Sequence, residues 1–437
     1  MRERVEKKVL KLPARCGSNR RFEASSRNGE ELRAGIGLET RRRRSDSAQT
    51  LLVTCLVMTG IMGAAGLAVD MGTLRFTQRR MQTAADAAAL SAAAELNYGD
   101  YLTAGQADAA TNGFTNGSNS VTVAVNDPPT EGAYAGQANY VEVIVTDTVP
   151  TFFMKILGVS SEQVSARAVG HYNSSTNCVY ALSSNASDAI QVNGSGSFSA
   201  GCGMVDDSTA GEALLMNGAS GSINASAIQL VGGYTNHGGG GLSPTPTTGV
   251  PPIADPLAYV NAPPVGTCTY SSEQKYTGSA SLTQGVYCGG ISVKGSGTVT
   301  LAAGTYVING GELNLGGTST ITGSDVMFYL TGGATLTVAG GTTLTLTAPT
   351  SGTYSGILFF QDRADSSAAS FAGGNSMNLT GSLYFPSAAV EFKGNNSISA
   401  YTILVANTIL FDGGSTFNNN YSSLSNGSPI KSASLAE

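Results

Sequence analysis

Residues 51–69 read LLVTCLVMTGIMGAAGLAV, nineteen consecutive positions without a charge. At 1.5 Å per residue, a helix of that length covers roughly 28 Å, about the thickness of a bilayer's hydrocarbon core. A buried soluble helix rarely runs so long uncharged. A cleaved secretory signal would be shorter, would start nearer residue 1, and would end at a small-x-small site. The pattern predicts a retained transmembrane helix. The next stretch, DMGTLRFTQRRMQTAADAAALSAAAEL, keeps helical character because alanine is the best helix former. Arg75, Gln78, Arg79, Arg80 and Gln82 make its first part polar. Residues 48–98 therefore read as one helix, apolar first and amphipathic later. Gly60, Ala64, Ala68 and Gly72 recur every four residues along one face, a stripe that lets a second membrane helix approach closely. Glycine and alanine are also common in membrane helices for no such reason.

Beyond the helix the period changes. SVTVAVN at 120–126 and YVEVIVTD at 140–147 alternate apolar and polar residues, as half-buried strands do. PTFFMKILG follows at 150–158, with Pro150 suited to a first helical turn, and residues 164–172 form another strand-like run. Residues 99–175 are thus expected to form a small α+β exported module. From Cys178 onward Gly, Ser, Thr and Asn dominate and charge nearly vanishes. AIQVNGSGSFSA at 189–200 is echoed about 24 residues later by ALLMNGASGSINA at 213–225. Glycine corners fall at Gly295, Gly317 and Gly341, and again at Gly374, Gly394 and Gly414, spaced 20–24 within each set. Each adjoins a short run such as GTVTL, STITG, TTLTLT, SMNL, VEFK or ILFDGG.

A period of 20–24 with several strands per repeat fits coils of a parallel β-helix, each turning on glycine or asparagine. Propeller blades need a period nearer forty to fifty, while a β-sandwich shares the Gly-rich turns. The expected fold is a membrane-anchored, mainly β chain. It comprises a transmembrane and amphipathic helix, a small α+β neck, and a right-handed parallel β-helix-like domain over 176–425. A Pro/Gly-rich linker at 238–265 interrupts the coils, and 426–437 reads as a tail. In residues 349–374 the strand GILFF at 356–360 precedes polar residues expected to protrude as a loop.

Charge orients the chain. Residues 1–44 hold 14 of the 24 Lys and Arg and six Glu, a local balance of +8, whereas the remainder carries −14. Basic flanks stay cytoplasmic, so residues 1–47 are expected inside as a solvated basic tail and the rest in the periplasm or outside. Arginines without interleaved aromatics or a recognisable fold do not point to nucleic acid. The cysteines probe the coil idea. Cys178 and Cys202 are 24 apart and Cys268 and Cys288 are 20 apart, each about one coil, which would bring both pairs within disulfide reach. An even number of exported cysteines favours pairing as 178–202 and 268–288, one of three connectivities. Zinc is the rival, but no CxxC is present and the histidines are only His171 and His237. Cys16 and Cys55 are expected as free thiols.

The segment RRRRSDSAQTLLVTCLVMTGIMGAAGLAVDMGTLRFTQRRMQTAADAAALSAA resembles the N-terminal region of TadE/TadG-like proteins of the tight-adherence (Flp, type IVb) pilus assembly system. The resemblance rests on the Arg-rich stretch before Ser45, Gln49-Thr50, AVDMG at 68–72 and QTAADAAALSAAA at 82–94. VPTFFMKILGVSSEQVSARAVGHY extends it to about residue 172. It is closer to the TadG branch than to the major pilin, because a leader-peptidase pattern with Glu just inside the apolar run is missing. The resemblance implies a role in pilus assembly, with the bilayer and other pilus-assembly or pilin-like subunits as partners.

An enzyme would need clustered carboxylates or a nearby Lys or Arg base. Residues 289–420 offer Glu312, Asp325, Asp362, Asp365, Glu391, Asp412, Lys294, Arg363 and Lys393, and no two carboxylates recur at coil spacing. Asp362-Arg363 is the one suggestive pair, and it reads as a structural salt bridge in a loop. The expectation is a non-enzymatic minor component of Flp pilus assembly without cofactor or metal. The alternatives are a surface adhesin or glycan-binding β-helix sharing the anchor and, more weakly, a β-helical carbohydrate-active enzyme.

Overall fold

A computed structural model describes residues 43–437 apart from 173–175, 219, 340, 373–376, 395, 398–401, 418–423 and 425–427. Residues 1–42 of the expected basic tail, Cys16 and the Gly374 corner lie outside the described residues, and 43–47, expected in that tail, already belong to the helix. Residues 1–65 and 66–437 form two compact units. In the first, residues 49–65 belong to helix α1 (Arg43–Ala94) and are exposed throughout.

In the second unit the same helix acquires an inward row. Gly66, Asp70, Met81, Ala84, Ala85, Ala88, Ala89, Ala92 and Ala93 are buried, following the spacing of one helix face. That face packs with helix α2 (Tyr101–Thr111) on an antiparallel sheet of β1 (Thr122–Asn126), β2 (Tyr140–Pro150) and β3 (Ser161–Tyr172). Alanine is needed here because the backbones nearly touch. A Cβ on Gly170 of β3 would collide with the Ala89 carbonyl, and one on Gly105 of α2 would lie 3.2 Å from the Ala92 methyl. Pro150 ends β2 instead of starting a helix, and the helical turn comes later, as a 3₁₀ turn at Met154–Leu157.

Residues 433–435 form the sheet's fourth strand, antiparallel to β3, where the sequence suggested only a tail. Under that sheet sits a buried charge. Glu142 accepts bonds from the Asn126 amide at 2.9 Å, the Thr130 hydroxyl at 2.6 Å and Arg167 Nε at 2.5 Å. Arg167 also reaches Glu437 at 2.9 Å, tying the added strand's end to the sheet.

The remaining strands are a parallel β-solenoid, in which three ladders carry the coils. One runs through the strands containing Val286, Val307, Tyr329, Phe360, Tyr384, Val405, Tyr180, Val205 and Gln229. A second joins Ile291, Leu313, Leu336, Ala369, Val390, Ile409, Ile190, Leu214 and Tyr234. The third joins Val299, Ile321, Leu344 and Met377, and resumes at Ser415, Phe198, Ile223 and Leu242. The echo at 189–200 and 213–225 is thus real stacking, with Ile190 beside Leu214. VEFK and ILFDGG, grouped with SMNL by spacing, belong to the second ladder and not to the third. Of the expected corners, Gly317, Gly341 and Gly394 take positive φ, whereas Gly295 and Gly414 do not, and Gly295, Gly317 and Gly414 all lie within strands.

Spatial order departs from chain order. The strand Leu404–Asp412 pairs with Asn177–Ala181 and Ile190–Asn193, so the last described coil stacks on the first. Residues 177–243 extend the stack on one side of this seam and residues 274–397 on the other. The chain must therefore cross the seam to begin the second side, and the Pro/Gly-rich stretch after Thr248 does so. From Thr248 to Tyr270 the first ladder counts ten strand-to-strand steps, roughly 48 Å at about 4.8 Å each. The 22 residues from Thr248 to Tyr270 reach at most about 79 Å, enough with slack for the turn at 256–259.

Aromatic rings fill the interior. Tyr270, Tyr287, Tyr306, Phe328 and Phe359 lie 4.5–6.1 Å apart in succession, and Phe411 meets Phe198 at 5.0 Å across the seam. One interior position is acidic. Asp206 stands in register between Ala181 and Leu230, fully buried, with one oxygen bonded by the Ser208 N–H at 2.9 Å and the other without a partner among the described residues. Burial pushes its carboxyl up to about 7.

Two stability measurements follow. For Glu142, burial raises the carboxyl, but the bonds from Thr130, Asn126 and Arg167 outweigh it and hold it at about 2. The folded state therefore binds fewer protons than the unfolded one, and stability is lost as pH falls from about 4.5 towards 2. Glu142→Gln should cost about 3 kcal/mol in urea unfolding at neutral pH and lose that acid-side slope; an unchanged midpoint would contradict the assignment. Asp206 has the opposite sign. The folded chain keeps the proton that the unfolded chain releases near 3.8, so stability falls as pH rises from about 4 to about 7. Asp206→Asn should flatten that decline, and a variant with the native slope would refute it.

Candidate functional site

The end of the apolar run is where the described structure concentrates unusual local chemistry. Asp70 is the first charge after nineteen uncharged residues, yet it is buried. Its carboxylate accepts three backbone N–H groups from the segment after β2: Phe152 at 3.0 Å, Phe153 at 2.8 Å and Met154 at 2.6 Å. Charge-assisted bonds of this kind are about twice as strong as neutral ones and satisfy an otherwise costly buried anion. One turn earlier, Gly66 clears the space for Phe153, since a Cβ there would stand 2.5 Å from Phe153 Cδ1. Thr151 closes the other side of the loop, its hydroxyl donating to the Val159 carbonyl. Further along α1, Gln82 Nε2 donates to the Arg167 carbonyl at 2.9 Å. Helix, loop and sheet are thereby fastened at Gly66, Asp70 and Gln82.

The stripe of Gly60, Ala64, Ala68 and Gly72 faces away from all of this. All four residues are exposed, and a Cβ on Gly60 or Gly72 would meet nothing within 4 Å. Sequence reasoning singled out that stripe and missed Asp70. The available signals were a lone carboxylate ending an apolar run and its four-residue spacing from Gly66.

The cysteines assort as two bonded pairs on neighbouring coils, Cys178 with Cys202 and Cys268 with Cys288, each with Cα atoms 5.7 Å apart. The second pair lies beside Tyr270 and Tyr287, at the end of the first ladder, where a parallel edge otherwise stops. Cys55 is a free, exposed thiol on α1.

Asp362 and Arg363 do not form a pair with each other, nor does their loop protrude. Asp362 accepts the Tyr329 hydroxyl at 2.7 Å and the Ala364 N–H at 2.9 Å, and these bonds, the Ala364 one foremost, hold its carboxyl below the usual range. Arg363 turns to the crossing linker, donating to the Leu257 and Val260 carbonyls at 2.9 and 3.0 Å. Its guanidinium also lies over the Tyr384 ring at 5.2 Å. Asp365 is buried, bonded by the Gly333 N–H at 2.8 Å. The linker is pinned in turn at Ile253, whose N–H reaches Asp207, and at Asp255, which accepts the Tyr384 hydroxyl at 2.6 Å.

A cleft of about 700 Å³ opens beside this linker, lined by Asn177, Tyr180, Asp255, Tyr259 and Lys431 among others. Its polar groups are engaged internally. Lys431 bonds Glu95 at 2.5 Å and lies over the rings of Tyr98 and Tyr259, and the Tyr259 hydroxyl, pushed up to about 12 by burial, donates to the Pro429 carbonyl. Among the described residues no group of three or more His, Cys, Asp or Glu is placed to hold a metal. The arrangement binds linker, neck and solenoid together.

Gln49–Ala94 of α1 is, among the described residues, the one helix long and apolar enough to cross a membrane, which fits membrane anchoring. Comparison with curated proteins and with solved structures finds no match to the chain. A family model does match. It is Tad, described as putative Flp pilus-assembly TadE/G-like, and it covers residues 48–95. Those bounds take in the whole apolar run, Asp70 and every buried alanine of α1. Residues 48–95 of this chain thus match a family model of TadE/G-like Flp pilus-assembly proteins, which supports involvement in Flp pilus assembly.

Proposed function

We propose that this protein is a non-enzymatic minor component of Flp pilus assembly, retained in the membrane by α1, with residues 1–47 cytoplasmic and the neck and solenoid exported. The observation that carries the reading is the coincidence of the TadE/G-like match with a helix that is exposed over residues 49–65 and packed against the neck beyond them. The basic balance of residues 1–44 supports the orientation. A retained anchor with a large folded body suits a subunit that holds or primes the fibre at the envelope rather than one that polymerises. Deleting the gene should abolish Flp fibres and the surface attachment that depends on them, with restoration by the intact gene. Normal piliation in the deletion strain would overturn the proposal.

One observation favours a second reading, contact with neutral glycans. The outward positions of the third ladder are uncharged and polar in register over two runs: Ser281, Thr300, Thr322, Thr345 and Asn378 in one, and Thr416, Ser199, Asn224 and Ser243 in the other. A hydroxyl or amide every 4.8 Å or so is a surface that hydrogen-bonds without selecting charge. The first ladder's outer side is instead covered by the linker residues Leu257 and Val260. The detergent-solubilised full chain should be retarded on immobilised neutral polysaccharide, and Thr322→Lys with Thr345→Lys should abolish the retardation. Passage of the native chain without retardation would dispose of this reading.

A further inference from the structure

We propose that residues 152–159 form a second membrane contact, an apolar loop that enters the outer, exported-side leaflet beside the transmembrane helix. The inference rests on the reading of α1 as a membrane span.

Among the described residues outside α1, eleven large hydrophobic residues are exposed, and five of them fall within these eight positions: Phe152, Phe153, Ile156, Leu157 and Val159. Ile156 is 82% exposed, Leu157 72% and Phe152 67%. The other six are scattered singly, as is ordinary for a soluble surface. A cluster of this kind on an exported module marks an interaction site. The loop's attachment says which one. Phe153 seats on Gly66, inside the last turn of the uncharged run, and Asp70 accepts the N–H groups of Phe152, Phe153 and Met154 at the residue where that run ends. The loop is thus fixed within about one helical turn, or about 5 Å, of the hydrocarbon boundary.

That position explains the rest of its composition. Backbone donors that would be costly near lipid are taken up by the Asp70 carboxylate and by the loop's own turn, in which Gly158 N–H donates to the Lys155 carbonyl. Lys155, exposed between the apolar residues, has a stem long enough to reach phosphate headgroups. Aromatic and aliphatic residues around one lysine are the makeup of an interfacial anchor. A pilin-like protein or a second copy would need apolar complementarity without this coupling to membrane depth. Lipid is the occupant that the attachment at Gly66 and Asp70 selects.

The chain has no tryptophan, so a single introduced one reports its surroundings without background. Full-length Ile156→Trp is reconstituted into phosphatidylcholine–phosphatidylglycerol vesicles, with and without phosphatidylcholine brominated near the carbonyl end of its chains. Leu56→Trp and Thr300→Trp serve as references for the span and for the solenoid. The expected result is blue-shifted Ile156→Trp emission that falls to about half with the brominated lipid, quenching at Leu56→Trp, and none at Thr300→Trp. Quenching at Leu56→Trp with water-like, unquenched emission at Ile156→Trp overturns the loop contact and leaves the span intact. Blue-shifted but unquenched emission at Ile156→Trp also overturns it, assigning the patch to protein. Loss of quenching at Leu56→Trp itself would instead remove the membrane reading on which the proposal stands.

Discussion

Parallel strands need a neighbour on each side, and in this protein the decisive neighbour is supplied out of order. The strand Leu404–Asp412 pairs with Asn177–Ala181 and Ile190–Asn193, closing a seam between the end of the solenoid and its beginning. Without those hydrogen bonds two parallel edges would stand open in the middle of the stack, the kind of edge that invites aggregation. With them the chain enters and leaves the solenoid at adjoining coils. Entry and exit then both lie near the neck, which is why β3, just before the first coil, can receive residues 433–435, just after the last, as its partner strand. Arg167, between Glu142 and Glu437, locks that closure electrostatically.

The same seam dictates the linker. A solenoid that grows outward in two directions from its point of entry needs a segment to carry the chain from one end to the other. Prolines suit an extended crossing because they fix φ and give up a backbone donor that the crossing could not pair. Asp207, Tyr384 and Arg363 hold the linker at three points along its course, so Arg363, in a stretch that read as a polar loop, acts as a clasp. Burying Leu257 and Val260 beneath it removes one outer face of the solenoid from solvent and leaves the neutral third ladder open.

At the other end of the chain, helix α1 beyond residue 65 is joined to the neck by close packing and hydrogen bonds. Alanines on α1 let β3 approach until Gly170 faces the Ala89 carbonyl, and Asp70 ties the loop after β2 to the membrane end of the helix. Neither contact can slide without exposing a carboxylate or opening a void.

The uncharged run at 51–69, the alanine-rich continuation, the strand alternation at 140–147 and the coil period were all legible in the sequence, because each is a local repeat of apolar positions. The cysteine spacings followed from the same period, since equivalent points on stacked coils are close in space. What could not be read were pairings between residues far apart in the chain. The stacking of 404–412 on 177–193, the return of 433–435 to the neck and the partners of Arg363 depend on which edges meet after folding. VEFK looked like a member of the wrong ladder because spacing alone does not say which side of a coil a strand occupies. Asp70 is the sharpest case: its sequence shows only a charge ending an apolar run, and its role depends on N–H groups more than eighty residues away. The sequence by itself determined the anchor and the coils, through short-range periodicity. Tertiary structure alone decided how the coils are ordered and what the anchor grips, because hydrogen bonds between distant segments leave no periodic trace.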